Sequence, residues 1–464
     1  MVLLLAACAP VPDTGDVPAC QPVGAAEGLD AHGGHPGVER EATGWWRTER
    51  FCERWWLITP EGHPAWSNGV NHATPTGDVN AITGEQAYAD TTAAAYASPE
   101  AWAEATASRL NGWGINTVGA WSDDDLLRPW SSATPILNLS GGDWQTGSVA
   151  DWYDPAWEAG VEATVAAVVV PRAEDPNVLG WFLDNEDRWG PDWRGQATLL
   201  QLYLQTDAAA PGKQAAVTFL LDRLGGVEAV NGALGTAYAD EAAMRADAGA
   251  WDALDADAPG PAADLTTAWL QATADRYFSV TTAAIRAADP HHLLLGNREV
   301  SVLTRLEVYE AAAPYVDVLS INNYTFQPGV DVAAIALSGA IDPADDFAAL
   351  HAEVDLPVLI SEFGFRAADS GLPNTWPPIY PTLDTQSERA AAAAAYIEQA
   401  QQTSWIVGQH WFEWVDEPVE GRFDGEDNNW GLVNEQDVPY AELTEAMRAA
   451  NLKLWERLEA PAFP

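Results

Sequence analysis

Positive charge is scarce in this 464-residue sequence: 22 Lys and Arg stand against 68 Asp and Glu, a formal net charge of −46. Only two of the cations, Lys213 and Lys453, are lysines. Affinity for nucleic acid comes mainly from neutralising phosphates, so a nucleic-acid partner is excluded, and anionic lipid surfaces are repelled in the same way. Cysteine is scarce at three residues. No apolar stretch reaches the roughly 18 residues that a membrane-crossing helix needs, and no internal repeat is visible. His72, His292 and His410 invite comparison with metallohydrolase barrels. However, no His-x-His follows the first candidate strand and no lysine ends a strand, so no metal site is read here. The acidity itself requires no cationic ligand, because genome composition or a well-hydrated acidic surface accounts for it.

What the chain does have is apolar and aromatic bulk. Hydrophobic residues make up 47% and aromatic residues 10%, with 23 Trp, enough for a large core and incompatible with global disorder. Residues 1–8 end in Leu5-Ala6-Ala7-Cys8, which resembles the lipobox of bacterial lipoproteins, with Cys8 as the lipidated residue. The expectation is an exported chain, lipid-anchored at the cell envelope or secreted, that meets a membrane only through that anchor. Two thiols then remain, Cys20 and Cys52, and an exported chain can pair them. Residues 9–44 are rich in Pro, Gly and Ala and read as a tether, with His32 and His35 solvated within it.

From residue 45 to the end at 464, short β-branched or apolar runs alternate with longer Ala-rich helical patterns, the signature of βα units. Candidate strands are 65–70, 117–121, 135–139, 178–183, 292–295, 316–321, 357–360 and 406–411; candidate helices include 99–110, 155–170, 263–288, 386–403 and 440–458. Eight units predict an α/β fold, a (β/α)8 TIM barrel, with a helical insertion at about 187–264 after the fourth strand. In that fold, loops at the C-terminal ends of the strands carry the chemistry.

Two glutamates stand at those positions: Glu186 in Asp184-Asn185-Glu186-Asp187-Arg188-Trp189, and Glu362 in Leu359-Ile360-Ser361-Glu362-Phe363. Paired carboxylates across a cleft cleave glycosidic bonds, one protonating the leaving oxygen while the other attacks the anomeric carbon. Period-2 alternation would turn Asn185 away from Glu186, so a bulge or kink is expected at Asn185.

The surrounding text is similar to glycoside hydrolase family 50, the β-agarase-like members of the clan A retaining glycosidases. Trp55-Trp56-Leu57-Ile58-Thr59-Pro60-Glu61-Gly62-His63-Pro64 resembles the family's opening, as do Ser67-Asn68-Gly69-Val70-Asn71-His72 and residues 180–190. Asp289-Pro290-His291-His292 through Gly296-Asn297-Arg298 resembles its fifth strand, and His410-Trp411-Phe412-Glu413-Trp414-Val415-Asp416-Glu417-Pro418 its eighth. The likeness runs from about 45 to 443. It implies Glu186 as acid/base, Asn185 as contact to the sugar 2-hydroxyl, Glu362 as nucleophile, Tyr324 as hydrogen-bond partner of the nucleophile and Trp411 as the floor under the reacting sugar. The segments around Asp187-Arg188, Arg298-Glu299-Val300 and Glu413-Trp414 depart from the agarase text.

Among the tryptophans, Trp121, Trp189 and Trp411 fall past candidate strands and offer faces for sugar C–H stacking, whereas Trp45, Trp46, Trp55, Trp56 and Trp66 read as packing at the base. Asn71, His72, Asn297 and Arg298 are polar strand-end residues suited to sugar hydroxyls. The expected function is retaining hydrolysis of a neutral poly- or oligosaccharide, with a β-galactosidic linkage favoured and no metal or organic cofactor implied. A β-glucanase or other clan A glycosidase and a non-catalytic glycan-binding lipoprotein stay open, as does the oligomeric state.

Overall fold

The computed structural model describes residues 19–25, 28–247, 249, 251, 260–300, 303–324, 347–378 and 380–461; Cys8 and the lipobox-like segment lie outside the described residues. Parallel strands form in chain order at β1 (Ser67–Val70), β2 (Thr117–Val118), β3 (Ser132–Ala133), β4 (Gly180–Trp181), β5 (Leu293–Leu294), β6 (Leu319–Asn322), β7 (Val358–Phe363) and β8 (Ile406–Trp411). A mostly parallel seven-stranded sheet runs, edge to edge, from the two-residue strand Glu299–Val300 through β6, β7, β8, β1 and β2 to β3, and β4 pairs with β5 separately. Single parallel bridges join Ala133 to Val178 and Ile136 to Phe182, linking the β3 and β4 segments. On the other side, the amides of Asp317 and Val318 donate to the Leu294 carbonyl, linking β5 to β6. The third strand is displaced from the expected 135–139 to Ser132–Ala133.

The helices begin where local chemistry directs them. Ser98 accepts the Ala101 amide ahead of Pro99–Gly112, Asp154 accepts the Ala156 amide ahead of Pro155–Thr164, and Thr385 with Glu388 forms a reciprocal capping box on Gln386–Gln402. The insertion after β4 is helical, with Leu199–Leu204, Pro211–Leu224, Val227–Leu234 and Glu241–Ala246, and it rests on the long helix Pro261–Ala288. There Tyr203 and Phe219 pack against Trp269 at 5.5 and 5.3 Å between ring centroids.

At the opposite end, an antiparallel three-stranded sheet of Arg47–Phe51, Arg54–Ile58 and Pro64–Ala65 precedes β1, and it buries Trp46, Trp56 and Trp66. The tether reading of residues 9–44 fails from Cys20 onward. Cys20–Pro22 pairs antiparallel with Glu459–Pro461, a Cys20–Cys52 disulfide is present, and the Asp30 carboxylate accepts from Thr59 Oγ1 and bonds His63 Nδ1, both at 2.7 Å. His32 and His35, expected in solvent, are buried, His35 against Trp455. Pro and Gly here mark a folded strap rather than a solvated linker.

Candidate active site

Residues just past five of the strands adopt a left-handed backbone without being glycine: His72 (φ 54°), Trp121 (57°), Asn138 (52°), Glu186 (52°) and Arg298 (51°). Such conformations cost about 1 kcal/mol or more each and persist where the surroundings over-determine them, typically at functional sites. Each turns the chain sharply at a strand end. Past β4, regular pairing stops at Phe182, and the turn falls on Glu186, one residue beyond the expected kink at Asn185.

Glu362, on β7, is buried; its Oε1 accepts from the Arg298 guanidinium (2.7 Å) and its Oε2 from the Tyr324 hydroxyl (2.5 Å). Burial and the Glu186 charge push the Glu362 carboxyl up, while Arg298, Tyr324 and Arg422 oppose them, leaving it raised to about 7. Burial and the Glu362 charge hold the Tyr324 phenol well above its ordinary value, so it stays a donor. Glu186 receives two neutral donors, Trp144 Nε1 on Oε2 and Asn322 Nδ2 on Oε1, both at 2.9 Å. Asn185 joins the two halves, since its Oδ1 accepts from Arg298 and from Asn322, each at 3.1 Å. A continuous hydrogen-bonded path thus runs Glu362–Arg298–Asn185–Asn322–Glu186.

Behind Glu186 lie three more carboxylates. Asp184 accepts the Ser140 and Asn185 amides (2.5 and 2.8 Å), Asp187 accepts Asn297 Nδ2 (2.7 Å), and Glu299 takes Trp189 Nε1 on both oxygens at 3.0 Å. Burial raises Glu299 to about 8 and raises Asp184, and burial with repulsion from Asp184 and Glu299 holds Asp187 well above its ordinary value. On the β1–β8 side, His72 Nδ1 bonds Glu413 (2.6 Å) near Asp78 (3.7 Å). Burial pulls the imidazole down, but those two carboxylates outweigh it and raise His72. His72, Asp78 and Glu413 bring ligand-type atoms within 4.8 Å of one another. Arg422 already reaches Asp78 at 3.9 Å and Glu413 at 4.0 Å, so the cluster contains its own cation.

The candidate sugar contacts divide by burial. His72, Asn185 and Tyr324 are partly exposed and Trp121 is 36% exposed, so these can meet a ligand. Asn71, Trp189, Asn297, Arg298 and Trp411 are all 5% exposed or less, and each does something else. Asn71 donates to the Ser361 and Trp411 carbonyls and accepts from Arg298; Asn297 orients Asp187; Arg298 holds Glu362. Trp411, expected as a floor, donates to the Trp430 carbonyl (2.7 Å) and is walled in by Phe363 (5.2 Å) and Arg389 (5.4 Å), leaving no free face. Trp189 stacks on Phe278 at 5.8 Å and binds Glu299. Trp144 and Asn322, which hold Glu186, were missed. Both stand past candidate strands, so the rule that found Glu186 and Glu362 would have found them too.

No protein-family model matches the chain. Beta-agarase A of Vibrio sp. (strain JT0107) is 31% identical over 418 residues, covering 83% of this chain and 39% of that protein. The chain is similar to the beta-agarases of glycoside hydrolase family 50. Beta-agarase B of the same strain is 28% identical over 364 residues, 75% of this beta-agarase-like chain and 36% of its own length. The chain therefore spans less than two fifths of the length of these curated relatives. The crystal structure of an agarase, AgWH50C, superposes with a TM-score of 0.76 at 25% identity, covering 94% of the beta-agarase-like chain and 68% of that one. An exo-beta-agarase superposes at 0.78 and 23% identity, covering 94% and 69%, and shows the common fold.

Proposed function

We propose that the chain is a retaining glycoside hydrolase that cleaves β-galactosidic bonds of an agarose-type neutral glycan. The observation that carries the reading is the asymmetric pair: Glu362 is held by a cation and a phenol, Glu186 by two neutral donors. A guanidinium favours the ionised carboxyl far more than an amide or indole does. Glu362 is therefore the attacking carboxylate and Glu186 the proton donor. The resemblance to beta-agarases supports the substrate class.

In the first step a Glu362 oxygen bonds the anomeric carbon as the bond to the leaving oxygen breaks, and Glu186 passes its proton to that oxygen. The product is a glycosyl ester of Glu362 and a free sugar alcohol. In the second step Glu186 takes a proton from water, the water oxygen bonds the anomeric carbon, and the ester bond breaks to return Glu362 as a carboxylate. Two inversions leave the β configuration. Retention requires carboxyl groups about 5–5.5 Å apart.

The strands are read as a closed (β/α)8 barrel, supported by the bridges linking β3 to β4 and the amides linking β5 to β6. The chain is read as exported, supported by the Cys20–Cys52 disulfide, which needs an oxidising compartment, and as lipidated at Cys8 on its lipobox-like sequence alone. The test is a panel of agarose, porphyran, galactans and β-glucans, assayed for reducing ends and for the anomer first formed, with Glu186→Ala and Glu362→Ala as controls. Release of a β-anomer from agarose that both substitutions abolish is the expected result. Undiminished activity in Glu362→Ala, or an α-anomer as first product, refutes the mechanism.

A further inference from the structure

The loop after β4 carries features that the two-carboxylate mechanism does not use. Arg194 is its organiser. Its guanidinium donates to the carbonyls of Glu186 (3.0 Å) and Trp144 (3.1 Å), is clamped by Asp192 Oδ2 (2.9 and 2.6 Å), and lies 4.2 Å over the ring of Trp193. Trp193 is nevertheless 39% exposed, and its ring stands 6.3 Å from that of Trp144, the indole that donates to Glu186. An indole fixed from behind by a guanidinium, with apolar surface left in water, has its ordering cost already met before a ligand arrives.

A second exposed indole repeats this arrangement against the guanidinium that holds Glu362. Trp121 is 36% exposed with the Arg298 guanidinium 4.3 Å over its ring, and Arg298 is the residue that holds Glu362. One exposed tryptophan therefore belongs to the nucleophile's neighbourhood and one to the proton donor's. Beside Trp193 lies a small open cleft bordered by Asp187, Asp192, Arg194 and Arg305. Asp187 and Arg305 place an acceptor and a donor there for hydroxyl groups.

We propose that Trp193 is the stacking platform for the sugar on the leaving-group side of the scissile bond, with Arg194 as the residue that positions it. This rests on the reading of Glu186 as proton donor, because the leaving oxygen must lie against the group that protonates it. The ligand class is a neutral pyranose presenting an apolar C–H face.

The experiment compares two substrates in the full chain: an agarose-derived oligosaccharide, which must occupy the leaving-group side, and a β-galactosyl fluoride, whose leaving group is a single atom. In Trp193→Ala, kcat/KM for the oligosaccharide is expected to fall at least tenfold while that for the fluoride stays within twofold of wild type. Trp193→Phe, which keeps an aromatic face, is expected to recover most of the loss. Equal losses on both substrates would mean that Trp193 merely holds the loop, and no loss on either would mean that no sugar rests there; each overturns the inference. A wild-type chain that turns over neither substrate refutes the hydrolase reading and the inference with it. Activity on the fluoride and on other glycosides, with Trp193 variants indistinguishable from wild type, refutes the inference alone.

Discussion

Arg298→Met is the most informative single change, because it removes a buried cation while keeping an unbranched apolar stem. The Arg298 guanidinium donates to Glu362 Oε1 at 2.7 Å, to Asn71 Oδ1 and the Ser361 carbonyl at 3.2 Å, and to Asn185 Oδ1 at 3.1 Å. A hydrogen bond to a charged group contributes about 1.5–3 kcal/mol. At about 1.4 kcal/mol per pKa unit, losing it raises the Glu362 carboxyl by about 1–2 units above its present value of about 7. Glu362 attacks only when ionised, so the acidic limb of kcat/KM against pH should move from near 7 to about 8–9. The assay is a pH profile on an activated β-galactoside. A limb that stays near 7 refutes the claim that Arg298 sets the charge of the nucleophile.

The same change has a stability signature of opposite sense. Glu362 is raised above its ordinary 4.5, so between 4.5 and about 7 the folded chain holds a proton that the unfolded chain has released. Stability therefore falls as pH rises through that window. In Arg298→Met the decline should continue for about 1–2 further units, so the deficit against wild type grows between pH 7 and 9. Breaking a buried ion pair costs about 3–5 kcal/mol when the partner must stay charged, and protonation of Glu362 limits the loss at lower pH.

Two more outcomes concern a buried carboxylate and the disulfide. Glu299, raised from 4.5 to about 8 by burial, adds to the decline of stability between those values; Glu299→Gln should make that decline shallower and exceed wild type by roughly a few kcal/mol at pH 9, read by denaturant titration across pH. Cys52→Ala opens a loop with a sequence separation of 32, and the chain-entropy relation gives a loss of about 3–4 kcal/mol; urea midpoints in oxidising buffer check it, and an unchanged midpoint refutes it.

Sequence reading recovered what local chemistry encodes. Helix starts were legible at Pro99, Pro155 and Gln386 because Ser98, Asp154 and Thr385 cap their own next turns. Glu186, Glu362 and Tyr324 were legible because their neighbouring text is distinctive, and all three lie in one hydrogen-bonded site or its immediate contacts. Burial was not legible. Trp121 and Trp411 both follow strand patterns, yet one faces solvent beside Arg298 and the other is sealed by Phe363 and Arg389. Nothing within a few residues of Trp411 announces Arg389, which comes from a distant helix. Asn71 and Asn297 likewise looked outward because they are polar, but their amides satisfy carbonyls and a carboxylate inside the protein. The strap at residues 28–44 was misread for a related reason: its fixing partners, Thr59 and His63, come later in the chain.

The scarcity of positive charge bears on the glycan once these partners are known. A sulfated or carboxylated sugar would need a cation whose charge is not already neutralised. Arg298 is bound to Glu362, and Arg366 is buried against Asn428 and the carbonyls of Trp376, Pro377 and Tyr380. Arg194 is clamped by Asp192, and Arg422 sits among Glu413, Glu417, Asp424 and Glu426. Each of these arginines therefore spends its charge or its hydrogen bonds inside the protein. An anionic sugar entering here would meet the repulsion of the −46 surface and of a pocket rich in carboxylates without a compensating partner from this set. A neutral sugar meets the two indoles and incurs no such cost, so the lack of positive charge and the exposed aromatic faces favour the same class of substrate.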